Sequence, residues 1–389
     1  MTPPLRDTIG SVQPVPDHPL VPLPPQPAGV GWPTEEWLEA DPAELGADTA
    51  RLTDLLDELV SGKPHPDHGL THAAAVVAGG QLVAERYGRR VVQDLRALGD
   101  DPPHHEVTAE TPLLSWSMAK SITNLAVGVA VADGRLRIDD PVGDPQWTAS
   151  PDDPRAAITW ADLLTMRAGL QWTEEYYALE ADAMPNVVTM LYGPEAADMA
   201  AYASSFPLVA QPGSTEAYVY SSGTTNIIAA NLQRVLGLDA AGMDAYLHER
   251  IFEPIGMRSA TATFDDAGTF VGSSFVHANL RDWARFGLLA IRGGHWDGTS
   301  LVGEDWIDWS RAARSWEETV LHAAQWWAWN DAETPFGAHG FEGQRVIAFP
   351  ARDVVVIRLG KMGSDDAPAL NAHLHQIARC FPVRGEATS

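Results

Sequence analysis

Ser117-Met-Ala-Lys120-Ser-Ile-Thr-Asn-Leu-Ala-Val-Gly-Val-Ala-Val-Ala132 sets a hydroxyl and an amine three residues apart at the head of a run of small and apolar residues. The run continues unbroken to Asp133-Gly134, where glycine can end a helix. It predicts a buried helix. Positions i and i+3 share one helix face, one turn apart, so Ser117 and Lys120 stand side by side at the N-terminal end. Arginine is plentiful in this chain, yet its only lysines are Lys63, Lys120 and Lys361. A lysine desolvated by apolar neighbours loses basicity and can take the proton of a serine attacking a carbonyl. The free N–H groups of the first turn favour the oxyanion that follows. The competing reading is a solvated lysine behind an ordinary serine; the apolar residues around Lys120 count against it.

Working outward, the 389 residues are enough for a large core and about two folding units. A net charge of −26 repels phosphate backbones and anionic lipid, so neither nucleic acid nor a membrane surface is an expected partner. Cys380 is the only cysteine, so no internal disulfide can form. The start, Met1-Thr-Pro-Pro-Leu-Arg-Asp7, has no signal-peptide pattern and no apolar run is long enough to span a bilayer; a soluble cytoplasmic protein is expected. Residues 1–33 are crowded with proline and read as an extended arm.

Asp48 can cap a helix carrying Leu52, Leu55, Leu56 and Leu59. Two β-like runs, Ala73–Ala78 and Gln81–Tyr87, flank Gly79-Gly80 as a hairpin. Further strands are expected at Ala323–Trp329, Arg345–Phe349 and Val354–Leu359, and a closing helix at Ala367–Cys380, while the middle is helix-like. The pattern gives an α/β (α+β) fold, an antiparallel sheet from the N- and C-terminal segments flanked by helices with an inserted, mostly helical region. The expected division is 34–119 with 263–389 for the sheet part and 120–262 for the helical part, with the site in the cleft between them.

Two further segments belong with Ser117. In Gln211-Pro-Gly-Ser-Thr-Glu-Ala-Tyr-Val-Tyr-Ser-Ser-Gly-Thr-Thr-Asn226, a turn at Pro212-Gly213 precedes a helix from Ser222 to Gly237. Tyr220 falls just before that helix, as a proton relay or as a packing aromatic, with Tyr218 the weaker competitor. In Phe336-Gly-Ala-His-Gly-Phe-Glu-Gly-Gln344, glycines let a strand edge approach a ligand. The Phe341 N–H is the candidate second oxyanion donor beside that of Ser117, and His339 either orients substrate or is structural.

These three segments, in this order, resemble the serine β-lactamase and penicillin-binding-protein superfamily, in its class C-like branch. Supporting stretches are Leu82-Val-Ala-Glu-Arg-Tyr87, Ile158-Thr-Trp-Ala-Asp-Leu-Leu-Thr-Met-Arg-Ala-Gly-Leu170, Phe252-Glu-Pro-Ile-Gly-Met257 and Arg281-Asp-Trp-Ala-Arg-Phe-Gly287. The resemblance implies a β-lactamase-like fold, Ser117 as the acylated nucleophile, Lys120 as its base partner and Tyr220 as the second-motif tyrosine. Within it, Leu170-Gln-Trp-Thr-Glu-Glu-Tyr176, Gln325-Trp-Trp327 and Gly343-Gln344 are most similar to 6-aminohexanoate-dimer (nylon-oligomer) hydrolases. That implies Tyr176 as a contact to the substrate amide, although it can equally close a loop over the core, and makes Trp172, Trp327 and Trp329 candidate pocket walls. Two departures stand out. Ala338-His339-Gly340 replaces the usual opening of the third motif, and Ser222 stands where β-lactamases of this branch carry asparagine.

The function expected is hydrolysis of a small ester or amide substrate through an acyl-enzyme, without metal or cofactor. The alternatives are a non-hydrolytic penicillin-recognising scaffold, a D-amino-acid peptidase or a β-lactamase. His65, His68, His72, His104 and His105 cluster in sequence, but no His-Glu-x-x-His helix accompanies them and metal catalysis is not expected. No serine sits in Gly-x-Ser-x-Gly, which argues against an α/β-hydrolase.

Overall fold

The computed structural model describes residues 19–91, 104–175, 184–303, 305–317, 320–363 and 367–385. Asp48 accepts the Arg51 N–H at 3.1 Å and opens helix α1 (Thr49–Leu59), which buries Leu52, Leu55, Leu56 and Leu59. Strands β1 (Leu70–Ala78) and β2 (Gln81–Tyr87) follow, joined by Gly79 and Gly80, whose φ values of 56° and 77° are those a tight two-residue hairpin turn demands. Helix α2 (Ala119–Ala132) is buried from Ala119 to Ala130. Helix α3 (Ser222–Leu236) starts on a Ser221 cap and stops at Gly237 in the left-handed conformation. Asn279 caps helix α4 (Leu280–Ile291) by accepting the Asp282 N–H.

The C-terminal third supplies β3 (Ser315–Glu317), β4 (Val320–His322), β5 (Trp327–Ala328), β6 (Phe336–Gly340), β7 (Gln344–Phe349) and β8 (Val354–Lys361), then helix α5 (Ala367–Ala378). The sheet order is β3-β4-β5-β6-β7-β8-β1-β2, with every pair antiparallel. Because β1 lies beside β8, with Ala75 opposite Ile357, the two ends of the chain make one sheet. Its residues alternate between two cores. Ala74, Val76 and Ala78 pack with α1 and α5. Ala73, Ala75 and Val77 face the larger core, which includes α2, α3 and α4.

The strand expected over Ala323–Trp329 survives only at Trp327–Ala328. Gln325 has φ 62°, and the Ala323 N–H closes a turn onto the Trp326 carbonyl. The cause is tertiary. Gln325 is buried, its side chain accepts from Thr225 Oγ1 at 2.8 Å and donates to the Leu164 carbonyl at 3.1 Å, and its own carbonyl accepts from Ser121 Oγ at 2.7 Å. Those bonds between buried groups outweigh local β preference.

From residue 19 to 33 the proline-rich segment forms neither helix nor strand; one internal turn is closed by the Val30 N–H on the Pro27 carbonyl, and carbonyls on either side of it find partners elsewhere. Arginines supply them. Arg311 donates to the Val21 carbonyl at 2.7 Å, Arg384 to Pro22 at 2.8 Å, Arg292 to Pro24 at 3.3 Å and Arg285 to Pro33 at 2.7 Å.

Candidate active site

Ser117 sits in a 3-10 turn, Trp116–Met118, that runs directly into α2. The turn is sharp because Trp116 has φ 46°, a conformation uncommon for a bulky residue and found where surrounding structure imposes it. Ser115, just before it, accepts the Val276 N–H at 3.2 Å and lies 3.1 Å from the Ser274 carbonyl, so the turn is tied to the neighbouring strand.

Lys120 is 2% exposed, and its Nζ has three partners: Ser117 Oγ at 2.9 Å, Ser222 Oγ at 2.9 Å and the Ser273 carbonyl at 3.0 Å. Burial lowers its pKa to about 8, against a smaller opposing effect of the Glu174 carboxylate. The three bonds are not equivalent. The Ser273 carbonyl can only accept. Ser222 gives its own proton to Glu174 Oε1 in a short bond, so toward Lys120 it also accepts. A neutral Lys120 amine therefore spends its two protons on Ser222 and Ser273, and its lone pair faces the hydroxyl of Ser117.

Glu174 is the group that fixes this polarity. Its carboxylate accepts the Ser222 N–H at 2.9 Å, at the start of α3, and the Trp172 indole N–H at 2.6 Å. Sequence reasoning included Glu174 in the 170–176 run without a role, since nothing local links it to a serine 48 positions away. Trp172 is 8% exposed and packs edge-on to Tyr202 and Phe206, and a Cβ on Gly223 would collide with its ring. It sits in the core behind Glu174. Tyr176 lies outside the described residues.

The Tyr220 ring centroid is 5.0 Å from Lys120 Nζ, with Trp327 at 5.1 Å and His322 at 5.6 Å between centroids. His322, a neighbour the sequence did not single out, is 1% exposed and holds neither ring nitrogen in a hydrogen bond among the described residues. Burial, then the cations Lys120 and Arg314, lower its pKa to about 3 and keep it neutral beside Tyr220. His339 is buried between Trp327, stacked at 5.5 Å, and Trp329 at 5.1 Å, and burial holds its pKa well below the usual histidine range. At the end of β6, Gly340 abuts the Ser115 carbonyl so closely that a Cβ would collide with it. This contact brings the backbone of Phe341 to the turn that carries Ser117, and the Phe341 ring meets Trp116 edge-on at 5.4 Å.

The chain belongs to the beta-lactamase family, whose model matches residues 56–378. It is a serine hydrolase of the β-lactamase fold. It is 23% identical over 349 residues to the 6-aminohexanoate-dimer hydrolase of Paenarthrobacter ureafaciens, covering 86% of this chain and 83% of that one. A solved structure from Bacillus anthracis, assigned as a 6-aminohexanoate-dimer hydrolase, superposes with a TM-score of 0.65 at 21% identity over 84% of this chain and 81% of the other. The octameric penicillin-binding protein homologue from Pyrococcus abyssi superposes with a TM-score of 0.63 at 18% identity, over 85% and 77%. Among the described residues no helix is long and apolar enough to cross a membrane.

Proposed function

We propose that the protein hydrolyses small carboxylic esters or amides through an acyl-enzyme on Ser117, in the manner of 6-aminohexanoate-dimer hydrolases. The observation that carries this reading is the buried Lys120 amine, 2.9 Å from Ser117 Oγ, whose other two partners can only accept its protons. The Ser117 hydroxyl passes its proton to Lys120 as Oγ attacks the carbonyl carbon, and the oxyanion is met by the Ser117 and Phe341 N–H groups. Tyr220 passes a proton to the leaving alcohol or amine. Water then attacks the acyl carbon with the same groups working in reverse, and Ser117 is restored. On the substrate side, Trp327 and Tyr176 are assigned to the pocket, with His339 as an uncharged support behind Trp327. Trp172 acts through Glu174.

A panel of p-nitrophenyl esters, linear 6-aminohexanoate amides, D-amino-acid amides and nitrocefin tests the proposal. Turnover of an ester or a linear amide, lost in Ser117→Ala, is the expected result. Acylation of Ser117 without turnover of any member would instead identify a penicillin-recognising scaffold. Nitrocefin turned over fastest would make it a β-lactamase.

A further inference from the structure

We propose that Glu58, His68 and His373 form a site for one divalent transition-metal ion of the zinc type, in the α1/α5 layer on the opposite side of the sheet from α2. The inference is independent of the hydrolytic reading. The three residues come from three segments: Glu58 from the end of α1, His68 from the turn before β1, and His373 from α5. One nitrogen of each imidazole and one carboxylate oxygen all lie within 4.8 Å of one another.

Two observations point to a cation rather than to packing. First, His68 is 4% exposed, and its Nδ1 is buried with no hydrogen-bond partner among the described residues. A buried imidazole nitrogen without a partner carries a desolvation penalty that a metal ion would remove. Second, His373 is 5% exposed and its Nε2 lies 2.9 Å from the Leu55 carbonyl. A carbonyl only accepts, so Nε2 holds the proton and the lone pair is on Nδ1. Histidines that bind metals are characteristically oriented this way, by a bond from the other ring N–H to a carbonyl.

His65 completes the surroundings. Its ring stacks on His68 at 4.3 Å with 10° between planes, and its Nδ1 accepts the Asp67 N–H at 3.1 Å. The proton is therefore on Nε2, which lies 3.6 Å from a Glu58 carboxylate oxygen. A tetrahedral zinc centre needs ligand atoms about 3.3 Å apart, given metal–nitrogen bonds of about 2.0–2.1 Å. Glu58 is an exposed side chain and can move the remaining distance, while the two histidines are held by packing. Two imidazoles and one carboxylate suit zinc, cobalt or nickel, with water in the fourth position, and not magnesium or calcium, which prefer oxygen ligands. Occupied, the site would staple α1, the entry to β1 and α5, so it would act on stability.

The test uses the full, untagged chain, stripped with a chelator and titrated with Zn²⁺ by calorimetry, with Co²⁺ absorption as a second readout. One equivalent should bind to wild type, produce a visible tetrahedral Co²⁺ spectrum and raise Tm by about 2 °C or more at saturating Zn²⁺. Millimolar Mg²⁺ should leave Tm unchanged. Glu58→Gln, a surface change that leaves the metal-free Tm alone, should weaken Zn²⁺ binding at least about tenfold, and His68→Phe should abolish it. No binding to wild type beyond that retained by His68→Phe would overturn the proposal. So would wild-type affinity and an unchanged Co²⁺ spectrum in Glu58→Gln.

Discussion

At the residue scale, the proposed chemistry depends on which of the three bonds around Lys120 can reverse. Only the one to Ser117 can, since Ser222 is committed to Glu174 and Ser273 offers a carbonyl. The proposed mechanism needs the neutral amine, so kcat/KM should fall as pH drops below about 8 and level off above it, the limb following the free-enzyme pKa of Lys120. The Glu174 carboxylate raises that pKa, so Glu174→Gln should move the limb to lower pH as well as slow the reaction. A pH–rate profile reads both, and an unshifted limb would mean that Glu174 does not act on Lys120. Tyr220→Phe keeps the ring against Trp327 and removes only the hydroxyl. Its kcat should drop about 10²–10⁴-fold with KM little changed. Amides should suffer more than p-nitrophenyl esters, because an amine leaves only when protonated while p-nitrophenolate leaves unaided. Equal loss on both substrate types would make Tyr220 a packing residue. Ser117 and Lys120 were legible from sequence because one helical turn joins them. Glu174 was not, because its partnership with Ser222 exists only once two distant segments meet.

At the element scale, the same distinction separates what sequence reveals from what it hides. α1, α3 and the β1–β2 hairpin declare themselves through caps, periodicity and paired glycines, all local signals. The short strand β5 does not, since Gln325 turns the chain just before it to satisfy Thr225, Ser121 and Leu164. β6 depends on a glycine for a reason that is also tertiary: Gly340 has an ordinary φ of −124°, and it is the Ser115 carbonyl, with the Gln344 side chain beside it, that excludes a Cβ there. Gly340→Ala should push the end of β6 away from the Ser117 turn and loosen the oxyanion donor proposed at Phe341. Losing one such donor costs about 10²–10³-fold in kcat, so a loss of up to that size, with near-UV circular dichroism preserved, is expected from steady-state kinetics. An alanine variant with wild-type kcat would show that β6 does not position the oxyanion site.

At the scale of the whole molecule, one sheet joins the two ends of the chain, and the proline-rich segment is tied to the rest of the molecule by arginine side chains. Proline content announced an extended arm, but the four carbonyl-to-arginine bonds could not be read from a sequence in which arginine is common. Arg292 is the centre of this arrangement, buried and bonded to the Pro24 carbonyl, Gln26 and Asp353. Arg292→Ala leaves Asp353, whose pKa burial already raises, without its charged partner. A loss of about 3–5 kcal/mol in unfolding free energy is expected, measured by denaturant titration, with reactivity of Ser117 retained below the transition; a loss under about 1 kcal/mol, the range of exposed pairs, would contradict it. The central claim, that Lys120 activates Ser117, is tested most directly by peptide-mapped mass spectrometry after timed exposure to a fluorophosphonate, on wild type and Lys120→Arg. Arginine keeps the positive charge but cannot take a proton near neutral pH. The account predicts a single adduct on Ser117 in the wild type and labelling slowed at least about a hundredfold in the arginine variant. An adduct on another serine, or equal labelling rates in the two proteins, would contradict it.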